Sequence, residues 1–179
     1  MSEPSSLQRG LAGRYYIDPG ILAAERRRIF HPSWQFIATV QRLAKAGSYV
    51  TIDIAGAAVL AVCGKDGVVR AFRNICRHRG SRLLDGAGED CREIRCPYHG
   101  WRYGLDGSLI DTPWFGEKTP FDLASLPLTP AAVSIWRGLV FVSVDPAGPL
   151  ADQLGELPHH LIDAPLEGMR ELPQQAFRA

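Results

Sequence analysis

Two short segments hold the residues best able to do chemistry: Cys76-Arg77-His78-Arg79-Gly80 and Cys96-Pro97-Tyr98-His99-Gly100-Trp101. As a pattern they read C-x-H, seventeen residues, then C-x-x-H. Several metals take two cysteines and two histidines. Gly80 and Gly100 follow the candidate ligands, where a loop folding closely over a metal needs backbone freedom. Pro97 stiffens the second loop and removes a backbone donor. A structural zinc finger normally draws both cysteines from one half and both histidines from the other. Here each half is mixed.

The mixed order suits a [2Fe–2S] cluster of the Rieske type, in which one iron takes both cysteines and the other both histidines. Two parallel loops, each giving one Cys and one His, set like ligands side by side. Structural zinc is the alternative. On the cluster reading Cys76, His78, Cys96 and His99 bind cofactor and metal, no side chain is catalytic, and the direct job is one-electron transfer. Two neutral imidazoles in place of thiolates remove negative charge from the iron that is reduced, which eases reduction relative to an all-cysteine cluster.

The other cysteines and histidines point elsewhere. Cys63 ends the apolar run Ala57 to Cys63, and Cys91 precedes a short strand; both read as thiols packed in or near a core. His159 and His160 are adjacent and diverge on either a strand or a helix, so they chelate one ion poorly. With His31, beside Pro32, they read as structural or surface residues.

Around the ligands the pattern is one of short strands. Trp34 to Val40, Tyr49 to Ile54, Ala57 to Cys63 and Val68 to Asn74 are rich in β-branched and aromatic residues. Ala46-Gly47, Gly56 and Lys65-Asp66-Gly67 separate them. Further strands are expected at Glu93 to Arg95, Trp101 to Tyr103, Leu109 to Asp111, Val133 to Trp136 and Leu139 to Val144. Asp106-Gly107 reads as a hairpin turn, and the stretch from Pro113 to Pro130 as irregular. A helix should start at Asp18-Pro19 and run to about Phe30, with Asp18 as N-cap, Leu22 and Ile29 on one face, and Glu25 paired with Arg28. A second, short helix is expected at residues 150 to 163, broken near Pro158. Residues 1 to 13 should fray. The fold class is therefore mainly β, an antiparallel sandwich or small barrel with ligand-bearing loops and an N-terminal helix.

Composition sets outer bounds. The chain has 179 residues, 46% of them hydrophobic, enough for a real core, and a formal charge of +1 that argues against broad nucleic-acid binding. Charge clusters locally: between Arg70 and Arg102 eight arginines face four acids, a net of +4. That cluster is either a solvated basic face or a docking patch for an acidic redox partner. No apolar run is long enough to span a membrane and no secretory signal is visible, so a cytoplasmic location is expected.

The two ligand segments resemble the Rieske domain of the α-subunits of Rieske non-haem iron oxygenases, the aromatic-ring-hydroxylating and related mono- and dioxygenases. Gly13-Arg14-Tyr15-Tyr16, Arg28-Ile29-Phe30 with Trp34, Arg70 to Asn74, Leu105-Asp106-Gly107 and Gly138 to Val142 extend the likeness over roughly residues 13 to 145. The resemblance implies a Rieske-type fold, with an N-terminal tail and helix in residues 1–33, the [2Fe–2S] domain in 34–145, and in 146–179 a linker toward a catalytic domain not contained here. In the family that second domain holds mononuclear Fe(II) on two His and a carboxylate and hydroxylates with O2. The electron donor would be a ferredoxin or an NAD(P)H-dependent reductase. His99 would face an aspartate of a neighbouring oxygenase subunit in a homotrimer. A stand-alone Rieske ferredoxin is the alternative. The substrate is not readable, although the Gly-Arg-Tyr-Tyr opening resembles oxygenases of quaternary amines as much as ring hydroxylases. Respiratory Rieske proteins differ: they carry a disulfide at the positions of Ser81 and Tyr98, and a hydrogen-bonding serine at Trp101. Fewer hydrogen bonds to the sulfurs should place the potential low, roughly −150 mV.

Overall fold

The apolar run Ala57 to Cys63 is buried along its whole length, and the fold is built around it. The computed structural model describes residues 10–113 and 120–169. Its strands are β1 (Gln35–Thr39), β2 (Tyr49–Ile54), β3 (Ala57–Cys63), β4 (Val69–Arg73), β5 (Ala87–Gly88), β6 (Ile94–Arg95), β7 (Arg102–Tyr103), β8 (Leu109–Asp111), β9 (Pro130–Trp136) and β10 (Leu139–Ser143). Helical segments are α1 (Arg14–Ile17), α2 (Pro19–Glu25), α3 (Leu150–Leu154) and α4 (Leu157–His160). The expected frayed start and the far end of the expected linker fall largely on residues 1–9 and 170–179, outside the described residues.

All strand pairs are antiparallel. Seven strands form one sheet in the order β1-β10-β9-β4-β3-β2-β5, and β6-β7-β8 form a second. The expected mainly β, antiparallel class holds. β3 reads as a continuous apolar run because both of its faces are covered. Leu60 and Val62 point into a core with Phe72, Ile94, Trp101, Tyr103 and Leu109, between the two sheets. Val59 and Ala61 point the other way, onto Ala38, Ile54, Val140 and Val142. Cys76 and Cys96 belong to the first of these cores.

The N-terminal helix starts as expected, with the Asp18 carboxylate accepting from the amides of Gly20 (2.7 Å) and Ile21 (3.3 Å) and Pro19 in the first turn. Its last turn is different. Residues Arg26–Phe30 are wound as a π-helix, closed by the His31 amide donating to the Arg26 carbonyl. The wider turn separates i and i+3 positions, and the Glu25–Arg28 ion pair does not form. Leu22 and Ile29 stay exposed. The second expected helix breaks at Gly155 (φ 51) rather than at Pro158. Pro158 instead lies in the first turn of α4, where its missing N–H costs nothing.

Side chains tie the C-terminal segment down. Gln153 mimics a strand: its amide oxygen accepts from Trp34 N (2.7 Å) and its nitrogen donates to Trp34 O (2.8 Å). Arg137, at φ 48 in the turn between β9 and β10, donates to both carboxylate oxygens of Glu167 (2.7 and 2.9 Å) and to the Ala164 carbonyl (2.6 Å). The Arg137 bond holds the Glu167 carboxyl down to about 2 from its ordinary 4.5. A depressed folded value means that the contribution is present above pH 4.5 and is lost as pH falls toward 2. The amide resonances of Ala164, Leu166 and Gly168 should therefore titrate with a midpoint near pH 2 in an NMR series, and a midpoint near 4.5 would show the pair is not formed.

Candidate metal centre

The two ligand-bearing loops share one backbone design. In the first, Cys76 N donates to Ser81 O (2.8 Å) and Gly80 N donates to Cys76 O (3.1 Å). In the second, Cys96 N donates to Trp101 O (2.8 Å) and Gly100 N donates to Cys96 O (3.0 Å). Each loop thus spans six residues and is closed by the same pair of bonds. Gly80 and Gly100 take φ of 70 and 73, a region costly for other residues, so both glycines are there for the turn. The histidines sit at different places in the two loops, two residues after Cys76 and three after Cys96.

The four candidate ligands fall into two pairs by type. Both cysteines are buried, side by side in one core cluster with Trp101 and Tyr103. The His78 and His99 rings lie 4.7 Å apart, centroid to centroid, at 65°. Like therefore lies beside like, as the alternating order of the sequence predicts. No three His, Cys, Asp or Glu side chains among the described residues converge on a single ion. The mixed ligand order of each loop does not suit a structural zinc finger, which draws like ligands from one half. It fits a binuclear cluster, in which each iron takes two protein ligands.

Protonation also fits. Burial, with repulsion from His99 and Arg79, lowers the His78 pKa, a shift toward the neutral form that ligates. Burial raises the Cys76 thiol, and a bound metal is what would draw its proton off.

Tyr103, which sequence reasoning passed over, is a neighbour of the site. Its hydroxyl lies 3.4 Å from Cys76 Sγ and accepts from the Arg77 amide at 3.0 Å. Burial, then contact with Cys76, pushes the phenol well up, so it stays a donor. Its signal was the alternation of β7, which turns Tyr103 inward beside Trp101. Asn74 was also missed. It is fully buried, its Nδ2 donates to Leu84 O (2.6 Å), and its Oδ1 accepts from the amides of Leu83 (3.3 Å) and Leu84 (3.1 Å). It clamps the chain on both sides of the first loop.

A hydrogen bond to a ligating sulfur stabilises the reduced state. If the Tyr103 bond is worth about 1 kcal/mol, its loss corresponds to roughly 40 mV for one electron. Tyr103→Phe should lower the midpoint potential by about that amount; an unchanged potential in voltammetry would show that the phenol is only packing.

The remaining cysteines and histidines stay apart. Cys63 is buried, and the half-buried Cys91 Sγ lies 3.2 Å from the Glu93 carbonyl, with its thiol pushed up by burial. The His31 carbonyl accepts from Ser143 Oγ (3.0 Å), a structural role, while His159 and His160 are exposed on α4. Of the eight arginines between Arg70 and Arg102, Arg70, Arg82 and Arg102 are engaged by acids. Arg77, Arg79, Arg92 and Arg95 are exposed and form no ion pair among the described residues. Three of these four lie on or next to the ligand loops.

The profile of the Rieske [2Fe-2S] domain matches residues 33–127. The chain belongs to the Rieske family. Its cofactor is a Rieske [2Fe–2S] cluster. Among curated Rieske proteins, the carnitine monooxygenase oxygenase subunit of Escherichia coli (strain K12) is 37% identical over 155 residues, 86% of this chain and 41% of that protein. The glycine betaine monooxygenase oxygenase subunit of Chromohalobacter salexigens is 39% identical over 139 residues, 77% of this chain and 31% of that protein. A solved quaternary ammonium Rieske monooxygenase, described in terms of carnitine oxidation and inter-subunit electron transfer, superposes with a TM-score of 0.76 at 34% identity. It covers 84% of this chain and 42% of its own. The chain thus spans less than half the length of the relatives it matches. Among the described residues no helix is long and apolar enough to cross a membrane.

Proposed function

We propose that this chain relays single electrons through a [2Fe–2S] cluster held by Cys76, His78, Cys96 and His99, as the Rieske domain of an oxygenase that hydroxylates a quaternary ammonium substrate. Residues 34–145 form the relay domain. The observation that carries the ligand assignment is the pairing: both cysteines in one buried cluster, and the two imidazoles 4.7 Å apart. The substrate class rests on the relatives that act on carnitine and glycine betaine, rather than on aromatic rings. When bound, the cluster supplies a one-electron couple whose reduction is eased by neutral imidazole ligands. The chain holds the sulfurs buried, presents the half-buried imidazoles toward the surface, and donates a phenol hydrogen bond to one sulfur.

The intact enzyme would take electrons from a ferredoxin or an NAD(P)H-dependent reductase. It would pass them from His99 to mononuclear iron in a neighbouring subunit of a homotrimer. The arginines on the ligand loops that form no ion pair among the described residues suit an acidic donor, since electrostatic steering acts mainly on the on-rate. Arg77→Glu with Arg79→Glu should slow reduction by such a donor about tenfold at low salt and flatten the salt dependence in stopped-flow traces; kinetics equal to wild type would remove the patch from the docking surface.

The ligand proposal is tested by the EPR spectrum of the dithionite-reduced chain, with iron and acid-labile sulfide assays. A rhombic signal of low average g with two irons and two sulfides per chain is expected. Zinc without sulfide would replace this reading with a structural metal site.

A further inference from the structure

The two candidate imidazoles are held differently. His78 lies flat on the indole of Trp101, with centroids 4.8 Å apart and planes only 4° from parallel. Trp101 is 2% exposed, and its far surroundings include Phe121 at 5.7 Å. His99 is covered instead by Tyr98, at 3.7 Å and 32°, a ring that is itself 61% exposed. One imidazole rests on a fixed buried plate and the other under a solvent-facing ring.

Trp101 is well suited to being such a plate. Its carbonyl closes the second loop by accepting from Cys96 N, so its backbone cannot drift without opening that loop. Trp101 is buried in the core cluster that also holds residues of β3, β4 and β7. The indole face carries the negative lobe of its quadrupole, and a group gaining positive character over that face is stabilised within about 6 Å of the centroid. A metal-bound imidazole is more positive when its iron is oxidised.

We propose that Trp101 is a positioning residue for His78: its buried indole fixes the plane of that imidazole and, through its π face, favours the oxidised state of the iron His78 would hold. The inference rests on the ligand assignment above. It explains why the two imidazoles should be spectroscopically unequal, with His78 the more rigid. It also supplies a cause for a low potential that is separate from the number of hydrogen bonds to the sulfurs.

The test uses the loaded chain and reads potential and nitrogen hyperfine couplings at one fixed pH. Trp101→Leu should keep iron and sulfide, alter one of the two imidazole nitrogen couplings, and raise the reduced-to-oxidised ratio at a fixed solution potential about threefold, which is about 28 mV. Trp101→Phe keeps a flat ring and should leave both couplings near wild type, with a smaller rise in the ratio. Because Leu can loosen the loop, site-specific fluorination of Trp101 provides a series of nearly constant volume. The ratio should climb with each fluorine as the π face is depleted, at unchanged iron content. A loaded chain with a flat fluorine series and with Leu and Phe variants alike overturns the positioning role alone. A wild-type chain without acid-labile sulfide overturns the ligand assignment and this proposal with it.

Discussion

Cys76→Ser or His99→Ala protein should emerge from reconstitution with its iron and sulfide nearly gone and its colour lost. The reason is stoichiometric. Each iron of the proposed cluster has two protein ligands, so one substitution removes half of the anchorage of one metal. The remaining cysteines are engaged elsewhere. Cys63 is buried in the strand β3 and bonded toward the Gly64 carbonyl, and Cys91 is directed at the Glu93 carbonyl. His31 and His159 stand on other elements. Far-ultraviolet dichroism should change little, since each ligand loop is closed by its own backbone hydrogen bonds. Either variant keeping its full iron complement would end the four-ligand assignment.

Asn74→Ala should cost about 2–4 kcal/mol in unfolding free energy, because it leaves a buried carbonyl and two amides without their partner. Asn74 is 0% exposed and satisfies Leu84 O, Leu83 N and Leu84 N with a single side chain. Its own amide donates to Ala58 O at 2.9 Å, so the same residue fixes the strand before the first ligand loop and the chain after it. The variant should also lose metal faster under chelation than wild type, while Asn74→Asp, which keeps the acceptor, should retain part of the stability. Denaturant titration with a midpoint within experimental error of wild type would refute the clamp.

What the sequence made legible follows from how local each signal is. The ligand pattern was readable because C-x-H and C-x-x-H are contiguous and their mixed order is itself the diagnostic. β3 was readable because seven apolar residues in a row have no other use at that length, and Asp18-Pro19 because a cap is a local device. β5 was not, since Ala87 and Gly88 carry no hydrophobic signal and pair only because Tyr49 and Val50 offer a free edge. Pro158 marks a break in the sequence pattern, but a proline in a first turn is compatible with helix, and the chain breaks at Gly155 instead. Tyr103 and Asn74 were overlooked for one shared reason. Their partners, Cys76 and Leu84, are 27 and 10 residues away, and only the folded chain shows that a phenol and an amide reach them. The basic count of +4 was visible, but not that acids already occupy three of its arginines.

Because β3 lends successive side chains to opposite interiors, neither interior can be dismantled by itself. Melting the side built on β1 and β10 withdraws Val59 and Ala61, and drags Leu60 and Val62 out from behind the ligand loops. The molecule should therefore lose its redox centre and its large sheet in one cooperative event, with no half-folded species left to carry exposed iron.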